Sequence, residues 1–248
     1  MTEYFAAILV PEETVVSNVN GKKRRIKKKF FPGYVLLKMI MNDKTWHLVK
    51  DTDKIQSNKD LITDQQAEEA FKTILKWIGE DPNREGLLET PKRVIKAFKE
   101  YFKGYNQDPI KDLKKTFGDV DGYDDMVVEK NITFESHCEH HMAPIIGIAH
   151  VAYIPHEKVV GLSKLARVVE AYSRRLQTQE RLTMEIANTI FKGLKAHGAA
   201  VSIDAVHHCM TSRGIKKHEA TTVTNYFTGM FKESHNLQNR FLQYIGQK

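Results

Sequence analysis

Cysteine is nearly absent from this 248-residue chain, which holds only Cys138 and Cys209. Two cysteines cannot build the disulfide framework of a small secreted domain, and in a reducing compartment such a pair points to core packing or a metal. No apolar run approaches the roughly 20 residues that cross a bilayer. The N-terminus has no apolar core behind a basic start of the signal-peptide kind, so a cytoplasmic protein is expected. Internal repeats and low-complexity tracts are also lacking. What is present, 41% hydrophobic and 28% charged residues, is the composition of an ordinary globular chain. Its length allows one sizeable domain with its own core plus an accessory piece.

The formal net charge of +7 is unevenly spread. Residues 1–60 hold 12 Lys/Arg against 7 Asp/Glu, so most of the excess lies in the first quarter of the chain. The overall charge therefore says little about the main domain, and a polyanionic partner has to be argued locally.

Residues 4–10 and 30–41 read as strands, with a turn-like basic stretch over 20–29 between them. The polar, aperiodic run 51–63 reads as connecting chain, and its last part, 57–63, is taken as the linker. From Asp64 the pattern is helical: Ala67, Phe71, Ile74, Leu75 and Ile78 share one face, and Gly79 can close the helix. A second helix has Thr90 as N-cap and Pro91 at its first position, and runs to Gly104. Residues 105–126, rich in Asp and Gly, read as a loop. Two strands (127–136 and 146–154), two helices (163–175, with Ser163 as cap, and 179–197), two strands (199–206 and 219–230) and a short helix (235–245) follow. That order predicts an α+β domain over 64–248: an antiparallel sheet with two helices on one face, preceded by a helical pair.

Both cysteines sit among histidines, in His137-Cys138-Glu139-His140-His141 and His207-His208-Cys209. Zinc takes thiolate and imidazole ligands in a tetrahedral shell, and a catalytic site keeps one position for water. Cys138 and His141 form a C-x-x-H pair able to bind one ion from a single turn. Cys209, just past a predicted strand, can reach the same ion. His140 and His207 then stand beside the metal as acid–base candidates. A structural zinc, or two buried cysteines with incidental histidines, is the plainer alternative. The single doublet amid surplus histidine favours an open site.

Several stretches together resemble the GTP cyclohydrolase I family, in that family's order. They are Cys138-Glu139-His140-His141, Gly161-Leu162-Ser163-Lys164, Arg174 through Thr183, and His207-His208-Cys209 through Arg213-Gly214. Upstream, Glu89-Thr90-Pro91-Lys92-Arg93-Val94 resembles the family's helical signature. The resemblance covers about residues 65–248. It implies a tunnelling (T-fold) domain, a homodecamer with active sites between subunits, zinc as cofactor and GTP as substrate. It also implies zinc ligands at Cys138, His141 and Cys209, proton-handling histidines at His140 and His207, and Ser163 near the ribose and phosphates. By the same carry-over Glu180 receives the guanine edge with Gln179 beside it, and Lys164, Arg167, Arg213 and Arg93 hold the triphosphate. The implied reaction opens the imidazole ring at C8, releases that carbon as formate and closes the rearranged ribose into 7,8-dihydroneopterin triphosphate, the first step of folate and pterin synthesis.

On the residues alone the plainer readings come first. Ser163 is then an N-cap, Glu180 a first-turn carboxylate favoured by the helix dipole, and Lys164, Arg167 and Arg174 a solvated face. Met142-Ala143-Pro144-Ile145-Ile146 replaces a more aromatic stretch often found in the family. Another T-fold member acting on a pterin or purine-like ring is a rival reading, against which the full Cys/His/Cys set with both accessory histidines argues.

Residues 1–56 fall outside that pattern. Ile8-Leu9-Val10-Pro11, Gly21-Lys22-Lys23, Phe30 through Leu36 and Thr45-Trp46-His47-Leu48-Val49 resemble part of the N-terminal domain of the transcription factor NusG. Contact with RNA polymerase or nucleic acid is what such a segment implies, and an inactive scaffold joined to a transcription-linked binding module is the rival of a different class. A partial sheet of this size buries little by itself, which favours a fused remnant.

Overall fold

The computed structural model describes the strands β1 (Phe5–Leu9), β2 (Glu12–Val19), β3 (Lys22–Lys29) and β4 (Leu36–Met39), then residues 62–246 except 115 and 118–122. Two compact units divide the chain, residues 1–95 and 96–248.

In the first unit, β1 pairs antiparallel with β4, and β2 with β3. The basic stretch 20–29 is therefore largely strand and not turn. Its partner β2 carries the β-branched Thr14, Val15, Val16 and Val19, and Asn20-Gly21 between the two strands is the strongest short hairpin signal a sequence offers. Of the expected strand over 30–41 only Leu36–Met39 lies within the described residues, and all of the linker 57–63 except its last two residues lies outside them. Helix α1 (Asp64–Trp77) starts with a capping box: Thr63 Oγ1 accepts from the Gln66 amide, and the Gln66 side chain accepts from Thr63 N–H. Helix α2 (Thr90–Tyr101) includes Thr90 as its first residue, and the division between units falls within it.

In the second unit, the expected loop 105–126 contains a short helix, α3 (Pro109–Leu113), capped by Asp108 and started by proline. A small ladder joins β5 (Thr116–Phe117) to β8 (Val159–Val160). The main sheet has the order β11-β10-β7-β6-β9, where β6 is Val127–Cys138, β7 Pro144–Ile154, β9 Leu176–Gln177, β10 Gly198–His207 and β11 Thr222–Gly229. Its four long strands are antiparallel, and the two-residue β9 runs parallel to the end of β6. Gly147 lets β7 and β10 close up, since a Cβ there would stand 2.3 Å from the Asp204 carbonyl oxygen. Among the described residues no helix is long and apolar enough to cross a membrane.

Helices α4 (Leu162–Ser173) and α5 (Gln179–Leu194) cover one face of the sheet. Leu165, Val168 and Val169 of α4, and Leu182, Ile186 and Ile190 of α5, recur at helical spacing and bury against Ile145, Val151, Tyr153, Val201 and Ile203. The sequence predicted helices on that face alone. The other face is also partly covered, by α7 (Met230–Glu233) and α8 (His235–Tyr244), which bring Phe231 and Phe241 onto Ala152, Ile154 and Ala200. Both phenylalanines are fully buried and meet edge to face at 6.2 Å. Phe231→Ala is expected to cost about 3–5 kcal/mol of unfolding free energy, measured by denaturant titration. Ser163 does not cap α4: Gly161 is the N-cap residue, and its carbonyl accepts from Lys164 N–H.

Candidate active site

The ends of two strands meet across the start of β7. In the ladders, Pro144 stands opposite His137 of β6, and Ile145 opposite His207 of β10. Cys138 closes β6, and Cys209 lies in the one-turn helix α6 (His208–Thr211) that follows β10. Sheet pairing thus brings together residues far apart in sequence. Between Cys138 and β7 the chain turns tightly: Cys138 N–H donates to Ala143 O, Met142 N–H donates to Cys138 O, and Met142 takes a left-handed φ of 54°. This turn folds His141 back, with Nδ1 3.9 Å from Cys138 Sγ.

One ligand atom from each of Cys138, His141 and Cys209 lies within 4.8 Å of the other two. Tetrahedral zinc holds sulfur at about 2.3 Å and nitrogen at about 2.0–2.1 Å, so its ligand atoms stand roughly 3.5–3.8 Å apart. Two thiols and an imidazole at this spacing fit zinc with only a small contraction. Burial pushes the Cys209 thiol up, and the neighbouring Cys138 adds to the effect. A coordinated cation reverses that balance by holding the thiolate form. His141 Nε2, the ring's other nitrogen, faces Arg213 Nη1 at 2.7 Å.

The two remaining histidines flank the triad differently. His140 is exposed, with Nδ1 3.8 Å from Cys138 Sγ. His207 is half-buried; burial holds its pKa below the ordinary imidazole value, and Glu180 offsets this in part. Its Nε2 lies 2.7 Å from Oε1 of Gln179, a side chain that is itself 1% exposed. Glu180 is exposed in the first turn of α5. Its neighbour Arg181 donates to Glu139 at 2.7 Å, tying α5 to the Cys138–His141 turn.

The remaining cations lie elsewhere. Lys164 and Arg167 point to Asp112, at 4.0 and 3.6 Å, and Ser163 is exposed beside them. These residues start α4, whereas its end leads through Arg174 and Arg175 into β9, whose Gln177 pairs with Cys138. A rise of 1.5 Å per residue puts Ser163 about 15 Å along α4 from Ser173. Within one chain the Ser163–Arg167 cluster and the Cys/His/Cys triad therefore belong to opposite ends of that helix. Arg93 lies on α2, in the first unit.

The family model for GTP cyclohydrolase I matches residues 67–246. The chain belongs to that family. A GTP cyclohydrolase 1 of Pelagibacter ubique (strain HTCC1062) is 68% identical over 200 residues, covering 81% of this chain and 99% of that protein. GTP cyclohydrolase 1 of Brucella suis is 58% identical over 180 residues, 73% of this chain and 84% of that protein, and that of Hyphomonas neptunium 55% over 183 residues, 74% and 89%. Residues 2–67 separately match the family model for transcription termination factor nusG.

Against this GTP cyclohydrolase I background, three features were not legible in the sequence. Asp112 stands in a stretch read as loop. The Glu139–Arg181 pair bridges two motifs that were read separately. The Gln179–His207 contact joins residues 28 positions apart, with no sequence signal to link them.

Proposed function

We propose that the chain is a zinc-dependent GTP cyclohydrolase I, which opens the imidazole ring of GTP and yields formate and 7,8-dihydroneopterin triphosphate. The observation that carries this reading is the Cys138/His141/Cys209 triad with His140 and His207 beside it, in a chain of that family. The antiparallel sheet with α4 and α5 on one face is compatible with a T-fold.

Cys138, His141 and Cys209 would hold zinc, His141 through Nδ1. Bound there, zinc supplies Lewis acidity and water activated for attack near neutral pH. With Nδ1 so engaged, the proton of the neutral imidazole sits on Nε2. Arginine has only donors, so Arg213 would not keep a hydrogen bond to a protonated Nε2 and would be available to phosphate oxygens. Glu180, exposed at the start of α5, accepts from the guanine edge. His140 and His207 handle the protons as water adds at C8 and the ring opens. The former C8 leaves as formate, the ribose still attached to N9 rearranges to a ketone at C2′, and that carbonyl condenses with the freed amine, the former N7, with loss of water.

Ser163, Lys164 and Arg167, a helix length from their own triad, serve the triad of a neighbouring copy, with Arg93 contributing to the triphosphate contacts. We take the assembly to be a homodecamer with its sites between subunits.

The test is stoichiometric formate and dihydroneopterin triphosphate release from GTP by the zinc-loaded protein, abolished by a chelator and restored by zinc. Absence of both products from protein carrying one zinc per subunit would sink the reading.

A further inference from the structure

We propose that Gln179 is a positioning residue for His207, fixing which ring nitrogen carries the proton, and makes no direct contact with substrate. The inference rests on the function proposed above for its kinetic consequences, but its structural content stands separately.

The orientation of the Gln179 amide follows from its surroundings. One end faces the carbonyl oxygens of Ile203 at 3.1 Å and Thr222 at 2.7 Å, with Thr224 Oγ1 at 3.1 Å. Backbone carbonyls only accept, so this end must be the NH2 group. A flipped amide would set its oxygen against two others in a buried site, which is costly. The hydroxyls order themselves the same way. Thr183 Oγ1 donates to the main-chain carbonyl of Gln179 at 2.7 Å, so at the 2.7 Å contact between the two threonines Thr224 is the donor and Thr183 the acceptor. That leaves a Thr224 lone pair for the Gln179 NH2.

With its NH2 group committed, Gln179 offers only Oε1 to the histidine, and an amide oxygen can only accept. His207 Nε2, at 2.7 Å, must then carry a hydrogen. In the neutral ring the lone pair is consequently on Nδ1, the nitrogen available to take a proton during the reaction. The second ring nitrogen of a working histidine is commonly held this way, and the partner fixes both tautomer and ring angle.

A residue that touched guanine would act on binding, whereas one that acts through His207 acts on turnover. Gln179→Met keeps an unbranched side chain of similar length and removes the amide. The expected result is a fall in kcat of about 10–100-fold, the lower part of the range for acid–base groups, with KM for GTP and zinc content unchanged. Thr224→Val, which removes one acceptor of the Gln179 NH2, should move kcat in the same direction by a smaller factor. In a His207→Ala background, Gln179→Met should cost nothing further, because the two residues act as one unit. Ring 15N spectroscopy on histidine-labelled holoprotein, with His207→Asn for assignment, should show a protonated Nε2 at His207 in the wild type and loss of that single tautomer in Gln179→Met.

A rise in KM at constant kcat, full additivity with His207→Ala, or an Nδ1-protonated His207 in the wild type would each overturn the proposal. The spectroscopic arm needs no turnover. A chain that failed to open GTP yet showed the Nε2–H tautomer would sink the proposed function and leave the positioning role standing.

Discussion

Replacing Cys209 by serine is expected to remove metal and GTP turnover together. Among the described residues no further His, Cys or carboxylate joins the triad. Cys138 and His141 come from one turn, and Cys209 is the single donor from the β10 side. A serine hydroxyl offers no thiolate, so a site of two thiolates and an imidazole drops to two donors. Losing a partner that merely orients a ligand costs about 10–100-fold in metal affinity, and losing the ligand itself should cost more. After dialysis the variant should carry almost no zinc and release almost no formate, while β10 and its ladders stay intact by circular dichroism. A Cys209→Ser protein with full zinc content and wild-type turnover would refute the ligand assignment.

His207→Ala should separate what Cys209→Ser joins. His207 lies two positions from Cys209, yet its Nε2 is engaged by Gln179. Removing it should leave one zinc per subunit and lower kcat by about 10²–10⁴-fold, the range that a positioned acid–base group contributes. Metal analysis and single-turnover formate release read the two effects independently. Zinc lost along with activity would make His207 a ligand and force a different reading of the triad.

The grouping of Cys138, His141 and Cys209 was legible in the sequence because it depends on residue type. Cysteine beside histidine is rare, and two such clusters in a chain with two cysteines leave few combinations. The α4 and α5 faces were legible for a related reason: Leu165/Val168/Val169 and Leu182/Ile186/Ile190 keep a strict helical period. Geometry between elements was not. The basic β3 pattern suggested a solvated turn, because seven cations in eight residues mask the pairing supplied by β2. Ser163 met the composition rule for an N-cap, but Gly161 takes the position and leaves Ser163 exposed. For Gln179, adjacency to Glu180 suggested a shared task at the guanine edge. Successive residues of a helix project about 100° apart, however, and that turn sends Gln179 toward β10 and β11 while Glu180 stays in solvent. β9 was missed because two residues are too few to show a period, yet they set the end of α4 against the end of β6.

The length of α4 has a genetic consequence. In the assembly proposed here, one chain lends its triad to one reaction chamber and its Ser163–Arg167 cluster to another. A lesion at Cys209 and a lesion at Lys164 then disable different halves of the chambers they touch. Two alleles, each inactive alone, would form mixed rings in which some chambers draw both halves from undamaged ends. Co-expression would recover part of the activity that neither allele shows by itself, whereas two lesions at the same end of α4 would recover none.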